Sequence, residues 1–268
     1  MRLSGLVCLL ICQFFVAGCV LPKGRNVNLA TNSSSFSWER GAIIRGYTDK
    51  KQMALVFTGH EFGEGTGFIL QTLQNQNVKA SFFFTGEFYK NPQFENDIRQ
   101  LLQHGHYLGA HSDQHLLYCD WTKRDSLLVT RDQFVADLEK NYDRMKRFGI
   151  SKAQASFFLP PYEWYNDSIA DWTKTLGLQL VNYTKGTLSH ADYTTPADKN
   201  YRNSDTIYQS ILLYEQKQPA GLNGFILLMH TGTDSKRTDK FYRFLPQLIE
   251  WLKLNRYQLV RIDELLKS

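Results

Sequence analysis

Two histidines separated by three residues could hold one divalent metal ion. His111 and His115 lie in the segment HSDQH, directly after an apolar stretch, and neutral imidazole nitrogens are common ligands of such ions. If the chain turns helical there, both rings lie on one face. His230 ends a second apolar stretch and could face the same opening. A histidine pair alone is a weak signal, but the three histidines together favour a metal site.

Short apolar segments alternate along the chain with segments of helical spacing. The predicted strands are MALVF (53–57), KASFFFTG (79–86), HYLGAHS (106–112), SFFLP (156–160), LQLVNY (178–183), GFILLMH (224–230) and YQLVRI (257–262). The predicted helices cover residues 66–76, 93–104, 130–149, 167–176, 205–216 and 239–254. This alternation predicts a parallel sheet with helices outside it. About seven repeats favour a (β/α) barrel, and no GxGxxG motif supports an open dinucleotide-binding sheet.

The carboxyl ends of the strands are where a (β/α) barrel carries its catalytic residues. Chemistry is therefore expected in FTGHE (57–61), HSDQH (111–115) and PPYEWYN (160–166), and at His230. A polar segment, 184–203, follows another predicted strand and has no clear period.

The first 40 residues are predicted to lie outside the folded domain. Residues 1–18 resemble a lipoprotein signal peptide, because an apolar run ends in VAGC at Cys19; an ordinary secretory signal is the alternative. Cys19 is then the lipidation site, residues 19–40 form a polar tether, and residues 41–268 form a single barrel domain. We expect a lipoprotein of the cell envelope, anchored to a membrane on its periplasmic or surface side.

Cysteine content and charge restrict the remaining possibilities. Only Cys119 remains once the signal peptide is removed and Cys19 is lipidated, so no internal disulfide is expected. The net charge is +5, but the basic residues are scattered and form no stripe, which argues against a nucleic-acid partner.

From about residue 52 to residue 266, the chain resembles the polysaccharide deacetylases, the NodB homology group also called carbohydrate esterase family 4. HSDQH matches the family pattern HSxxH, and LLMH (227–230) matches LxxH. LPPY (159–162) is similar to the family's RPPY, and KASFFFTG to its ATFF-like segment. VFTGHEFGEGTGFIL is similar to TFDDGP…T…IL, so the chain is an atypical member with altered first and third motifs.

The resemblance implies a distorted (β/α) barrel of about seven parallel strands and a divalent ion held in part by His111 and His115. Zinc is the first candidate, with nickel, cobalt and manganese as alternatives. The substrate it implies is an acetylated polysaccharide or oligosaccharide, and His230 would protonate the leaving amine. In the family an Asp near residues 184–190 orients this histidine. We find no secure equivalent, and we expect Asp192 to be solvated or to cap a turn.

Three positions depart from the family pattern. Thr58 stands where the base Asp belongs, Gly59 where the metal Asp belongs, and Leu159 where the Arg that pairs with the base belongs. These losses are coupled, because an Arg left in a pocket without its carboxylate would be an unpaired charge. The pattern favours a rebuilt site over random decay, since HSDQH and LLMH persist.

The residues after Gly59 are candidates to replace the missing carboxylates. We expect Gly59 to leave room into which His60 or Glu61 could turn. His60 is the predicted third metal ligand and Glu61 the predicted catalytic base, although Glu61 could ligate in place of His60 and both could merely shape the loop. Glu163 and Asp113 are lesser candidates for these roles.

Aromatic residues near the motifs suggest contacts with sugar rings, whose C–H faces pack on aromatic planes. We predict that Trp121, Tyr162 and Trp164, with Glu163, contact the substrate, and that Tyr118, Tyr165 and Tyr193 also lie near the mouth. The predicted function is a metal-dependent hydrolase that removes N- or O-linked acetyl groups from a glycan. The alternatives are an inactive glycan-binding module on the same scaffold, or a glycoside hydrolase that uses paired carboxylates.

Overall fold

A parallel sheet of seven strands forms the centre of the protein, which a computed structural model describes over residues 35–267. The strands are β1 (Ser37–Glu39), β2 (Ala42–Arg45), β3 (Gln52–Gly59), β4 (Ser81–Phe84), β5 (Tyr107–Ala110), β6 (Phe157–Phe158), β7 (Gln179–Leu180), β8 (Ile226–His230) and β9 (Gln258–Leu259). The order across the sheet is β7-β6-β5-β4-β3-β8, with β9 also paired to β3. Every pair in this sheet is parallel.

Backbone contacts draw the two edges of this sheet together, as in a distorted barrel. The residues after β7 bridge to β2 through Ile43 and Val181. The amide of Thr184 donates to the carbonyl of Ile226 in β8 at 3.0 Å. The predicted (β/α) barrel of parallel strands is therefore confirmed, and the carboxyl ends of its strands face one opening.

Eight α-helices cover the described part of the sheet. They are α1 (Thr66–Asn75), α2 (Gly86–Lys90), α3 (Glu95–Gln103), α4 (Arg131–Lys146), α5 (Asp167–Thr175), α6 (Ser204–Lys217), α7 (Leu245–Leu254) and α8 (Ile262–Leu265). In α4 the capping residue is Thr130, whose side chain accepts from the amide of Gln133 while the Gln133 side chain accepts from the Thr130 amide. Phe134, Leu138 and Met145 of this helix are buried, as their spacing predicts.

Some elements were not predicted from the sequence. Helix α2 begins directly after β4, where the pattern predicted a continuing strand, and the hairpin of β1 and β2 has no strong sequence signal. Strand β1 lies within the residues predicted as a tether, so ordered structure begins before residue 41. The predicted helix 239–254 starts with a 3₁₀ turn at Phe241–Phe244 before α7 begins.

The signal-peptide prediction for residues 1–18 and the lipidation prediction for Cys19 lie outside the described residues, as do most of the tether residues. No helix within residues 35–267 is long and apolar enough to cross a membrane. Cys119 is a buried free thiol.

Candidate active site

A cavity of about 550 Å³ opens at the carboxyl ends of the strands. Its walls come from separate segments of the chain: His60 follows β3, His115 follows β5, Glu163 follows β6, His230 ends β8, and Tyr193 belongs to the polar segment 184–203. The parallel sheet brings these segments together because all of its strands point the same way. The volume lies within the usual range for small-molecule sites.

His111 and His115 lie close together, but they are not on a helix as the sequence suggested. Ser112 and His115 both have left-handed backbone conformations, with φ of 71° and 57°, so the chain turns sharply after β5. The centroids of the two imidazole rings are 5.1 Å apart. The turn is held by the amide of His115, which donates to the hydroxyl of Ser112 at 2.8 Å.

One nitrogen of the His111 ring is fixed by the backbone. Its Nδ1 lies 2.8 Å from the carbonyl oxygen of Leu159. Since a carbonyl only accepts, Nδ1 carries the proton and Nε2 keeps a free lone pair. A backbone carbonyl that accepts from the other ring nitrogen commonly orients a metal-binding histidine. Burial lowers the pKa of His111 to about 3, so the ring is neutral.

His60 packs against this pair. Its ring stacks on the ring of His115, with centroids 4.6 Å apart and planes 13° from parallel. Its Nδ1 lies 3.1 Å from the hydroxyl oxygen of Thr85, the residue that caps α2. Burial lowers the pKa of His60, and burial together with the neighbouring His111 lowers the pKa of His115 to about 2.

The chemistry of these three neutral imidazoles suits a divalent ion such as zinc. Their arrangement is less complete: within residues 35–267, no three His, Cys, Asp or Glu side chains are placed so that they could hold an ion together. The nearly parallel rings of His60 and His115 are consistent with this finding. The assignment of His60 as the third ligand stays a prediction, and so does the assignment of His111 and His115 as the first two.

The expectation that Gly59 leaves open space is wrong. A Cβ atom at this position would lie 2.7 Å from the hydroxyl oxygen of Thr231 and 2.9 Å from ring atoms of both Phe84 and Phe88. Neighbouring side chains therefore fill the place where the family carries an Asp. Beside it, Thr58 is 2 % exposed and lines the cavity, and its hydroxyl has no partner within the described part of the chain.

His230 is held by Asp192, contrary to the expectation that this Asp is solvated or only caps a turn. Asp192 is 2 % exposed. One of its carboxylate oxygens accepts from the His230 backbone amide at 2.9 Å, and the other lies 2.5 Å from Nδ1 of the ring. Burial alone would lower the pKa of His230, but the Asp192 carboxylate outweighs it, so the pKa is raised.

Asp192 was missed because it lies in an aperiodic segment. The only available signal was that Asp192 and Asp198 are the two acidic residues of segment 184–203. In the structure a short 3₁₀ turn at Ser189–Ala191 precedes Asp192 and directs it toward the end of β8. The residues at the places expected from the family, Thr184 and Thr187, are buried elsewhere, and Thr184 instead bonds the carbonyl of Ile44.

The two glutamates of the cavity differ in their surroundings. Glu61 lines the cavity and is exposed, whereas Glu163 lies on the cavity wall and is half-buried. Burial raises the pKa of Glu163 to about 7, although nearby His230 partly opposes this. Tyr162 and Glu163 both have left-handed backbone conformations, with φ of 58° and 52°.

Aromatic side chains surround the mouth of the cavity. Trp121, Tyr162 and Tyr193 line it and are 55 %, 44 % and 50 % exposed. Trp164 lies behind Trp121, with ring centroids 5.5 Å apart, and its indole nitrogen donates to the carbonyl of Asp120. The grouping of Tyr118 and Tyr165 with the mouth is wrong, because both are fully buried.

Comparison with known proteins identifies the family. The model of the polysaccharide deacetylase family matches residues 45–181. A peptidoglycan-N-acetylglucosamine deacetylase of Listeria monocytogenes, PgdA, is 26 % identical over 258 residues, which cover 93 % of this chain and 47 % of that protein. The chain thus spans about half the length of this relative.

Solved structures agree with this match. The structure of Bacillus subtilis PdaA, a family 4 carbohydrate esterase, has a TM-score of 0.64 at 25 % identity, covering 84 % of this chain and 85 % of that one. A family 4 pseudoenzyme from Bacillus anthracis, BA3943, has the same TM-score at 20 % identity, covering 85 % and 69 %, and shows likeness of fold alone.

The fold and the cavity at its strand ends are those of a curled barrel with parallel strands. With the family model matching half of its length, the chain belongs to the polysaccharide deacetylase family.

Proposed function

We propose that this protein is a hydrolase that removes acetyl groups from the amino sugars of a glycan. The observation that carries the proposal is the pairing of His230 with Asp192 on the wall of a cavity that also contains His115 and Glu163. A bound acetamide would meet an imidazole paired with a carboxylate and a second carboxyl group in one place, which suits general acid–base hydrolysis.

His230 is the proposed acid. Its Nδ1 proton is directed to Asp192, so Nε2 is the nitrogen that can exchange a proton with the substrate. The carboxylate also favours the imidazolium form, which can protonate the departing amine. Asp192 holds the ring in one orientation through two contacts, one to the side chain and one to the backbone.

A divalent ion is part of the proposal. His111 and His115 would hold it, with His60 as the candidate third ligand, and zinc is the first candidate for these donors. When bound, such an ion polarises the acetyl carbonyl. Among the protein groups, the Leu159 carbonyl fixes the His111 tautomer, and burial keeps the three rings neutral.

The substrate class is supported by the relatives and by the mouth of the cavity. Listeria PgdA is named as a peptidoglycan-N-acetylglucosamine deacetylase. Trp121, Tyr162 and Tyr193 offer exposed ring faces on which sugar rings can pack. Trp164 would support Trp121 from behind. The guanidinium of Arg124 lies 4.2 Å from the ring centroid of Trp164.

The test is release of acetate by the purified full chain. Chitin oligosaccharides, peptidoglycan and acetylated xylan are supplied separately, and the metal content is measured by elemental analysis. We expect acetate from an amino-sugar substrate, about one divalent ion per chain, and loss of both after prolonged chelation. Binding of the oligosaccharides without acetate release would show a glycan-binding module, and a shortened oligosaccharide would show a glycoside hydrolase.

The cellular location is a separate proposal. We propose that Cys19 carries lipid and that the barrel faces the periplasm or the cell surface. The apolar run and the VAGC sequence support this.

A further inference from the structure

Glu163 is held in a position that its own backbone resists. Two successive non-glycine residues, Tyr162 and Glu163, adopt left-handed conformations, each of which costs about 1–3 kcal/mol. Such strain persists only where the surroundings enforce it, and it is concentrated at functional sites.

The surroundings of this strained turn are specific. The side-chain amide of Asn182 donates to the backbone carbonyl of Glu163 at 2.8 Å. The Glu163 amide donates to the carbonyl of Pro160 at 3.0 Å, and the next amide, that of Trp164, donates to Pro161 at 3.2 Å. These bonds fix both sides of Glu163, so its position on the cavity wall is determined by the fold.

The carboxyl group of Glu163 has no fixed partner. Within residues 35–267 it makes no hydrogen bond and no ion pair with Arg or Lys. The third motif carries Leu159 where an Arg would have paired with a carboxylate. Besides burial, the charge of His230 lowers the pKa of Glu163 and the charge of Asp192 raises it. Burial and the nearby Glu163 in turn raise the pKa of Tyr183.

The two positions of the first motif where the family carries its aspartates, Thr58 and Gly59, offer no base. The hydroxyl of Thr58 is buried and has no partner within residues 35–267, and the side chains around Gly59 fill the neighbouring place. Thr58 and Glu163 line the same cavity. A hydroxyl group cannot accept a proton from water as a base at neutral pH.

We propose that Glu163 is the catalytic base of this protein, so that the base has moved from the first motif to the third. The inference rests on the proposed function and assigns a role that Glu61 was predicted to have. A pKa of about 7 agrees with it, because a general base works best when its pKa is near the working pH.

The hydrolysis balances with the groups in the cavity. The Glu163 carboxylate takes one proton from water as the water oxygen bonds to the acetyl carbon, and the carbonyl oxygen takes up the electron pair. The C–N bond then breaks, the carbonyl re-forms, and the nitrogen receives a proton from the imidazolium of His230. The proton on Glu163 passes to His230, and acetic acid and the free amine leave.

The test compares the Glu→Gln variants E163Q, E61Q and E250Q in the full chain. E163Q should lower kcat by about 100-fold or more with little change in KM. E250Q alters an exposed glutamate of α7 and should match the wild type. Added formate should partly restore the rate of E163A, since a small carboxylate can enter the space left by the side chain. If E163Q does not fold, E163D keeps the carboxylate and should retain more activity than E163A.

The outcomes separate this role from the proposed function. If the wild type is active and the activity of E163Q lies within about threefold of it, the role of Glu163 alone is overturned. The same holds if E61Q loses activity instead. Failure of formate to raise the rate of E163A also counts against a base at this position. A wild type that releases no acetate from any substrate overturns the proposed function and this role with it.

Discussion

Replacement of Glu163 by Gln should stabilise the protein, and more strongly as the pH rises. Burial raises the pKa of Glu163 from 4.5 to about 7, so the folded state disfavours the charged form. The contribution of Glu163 to the stability of the fold is therefore fully present below pH 4.5 and is lost as the pH rises through about 7. Gln cannot ionise, and it can take the same left-handed backbone without greater strain.

The size of the effect follows from the shifted pKa. At about 1.36 kcal/mol for each pH unit between the two pKa values, ionised Glu163 destabilises the fold by about 3 kcal/mol at pH 8. At pH 5 the cost falls below about 1 kcal/mol. Because the carboxyl group faces the open cavity and is only half-buried, solvent screening should reduce both figures by about half.

Urea unfolding followed by tryptophan fluorescence measures this difference. The free energy of unfolding of wild type and E163Q, obtained by linear extrapolation, should agree within error near pH 5. By pH 8 the two should diverge by about 1–3 kcal/mol, with E163Q more stable. E250Q should follow the wild type at both pH values. If the free energies of unfolding of wild type and E163Q differ by the same amount at pH 5 and at pH 8, the raised pKa of Glu163 is refuted.

Three other changes test the site and the location. Gly59→Ala should lower the free energy of unfolding by about 1–3 kcal/mol, because the added Cβ overlaps Phe84; unchanged urea midpoints would show that the space is open. Asp192→Asn should lower kcat for acetate release by roughly 100-fold and lower the pKa of His230, measured by NMR titration; an unaltered imidazole titration would contradict the pairing. Cys19→Ala should move the protein from the membrane fraction to the soluble fraction, and a variant that stays with membranes would rule out lipid as the anchor.

The fold and part of the site could be predicted because they depend on local patterns. The run ILLMH reads as a buried strand by its apolar residues alone, and it places His230 at a strand end. HSDQH likewise follows a buried strand. The helix from Arg131 to Lys146 was predictable from its capping residue and its apolar spacing.

Other features had no local signal. Asp192 and His230 are 38 residues apart, and nothing in the aperiodic segment around Asp192 indicates that it turns inward. The space beside Gly59 could not be predicted either, since residues distant in sequence, such as Thr231, fill it. The left-handed turn at Glu163 depends on a hydrogen bond from Asn182.

The amino-acid sequence alone determined that a parallel sheet forms and which histidines follow its strands, because apolar runs and chain order are local properties of the sequence. It did not determine the β1–β2 hairpin or the residue at which each strand ends. Tertiary structure alone decided which carboxyl groups reach the cavity. Their positions depend on turns held by hydrogen bonds from other strands, and on burial, which sets the charge that a carboxyl group carries.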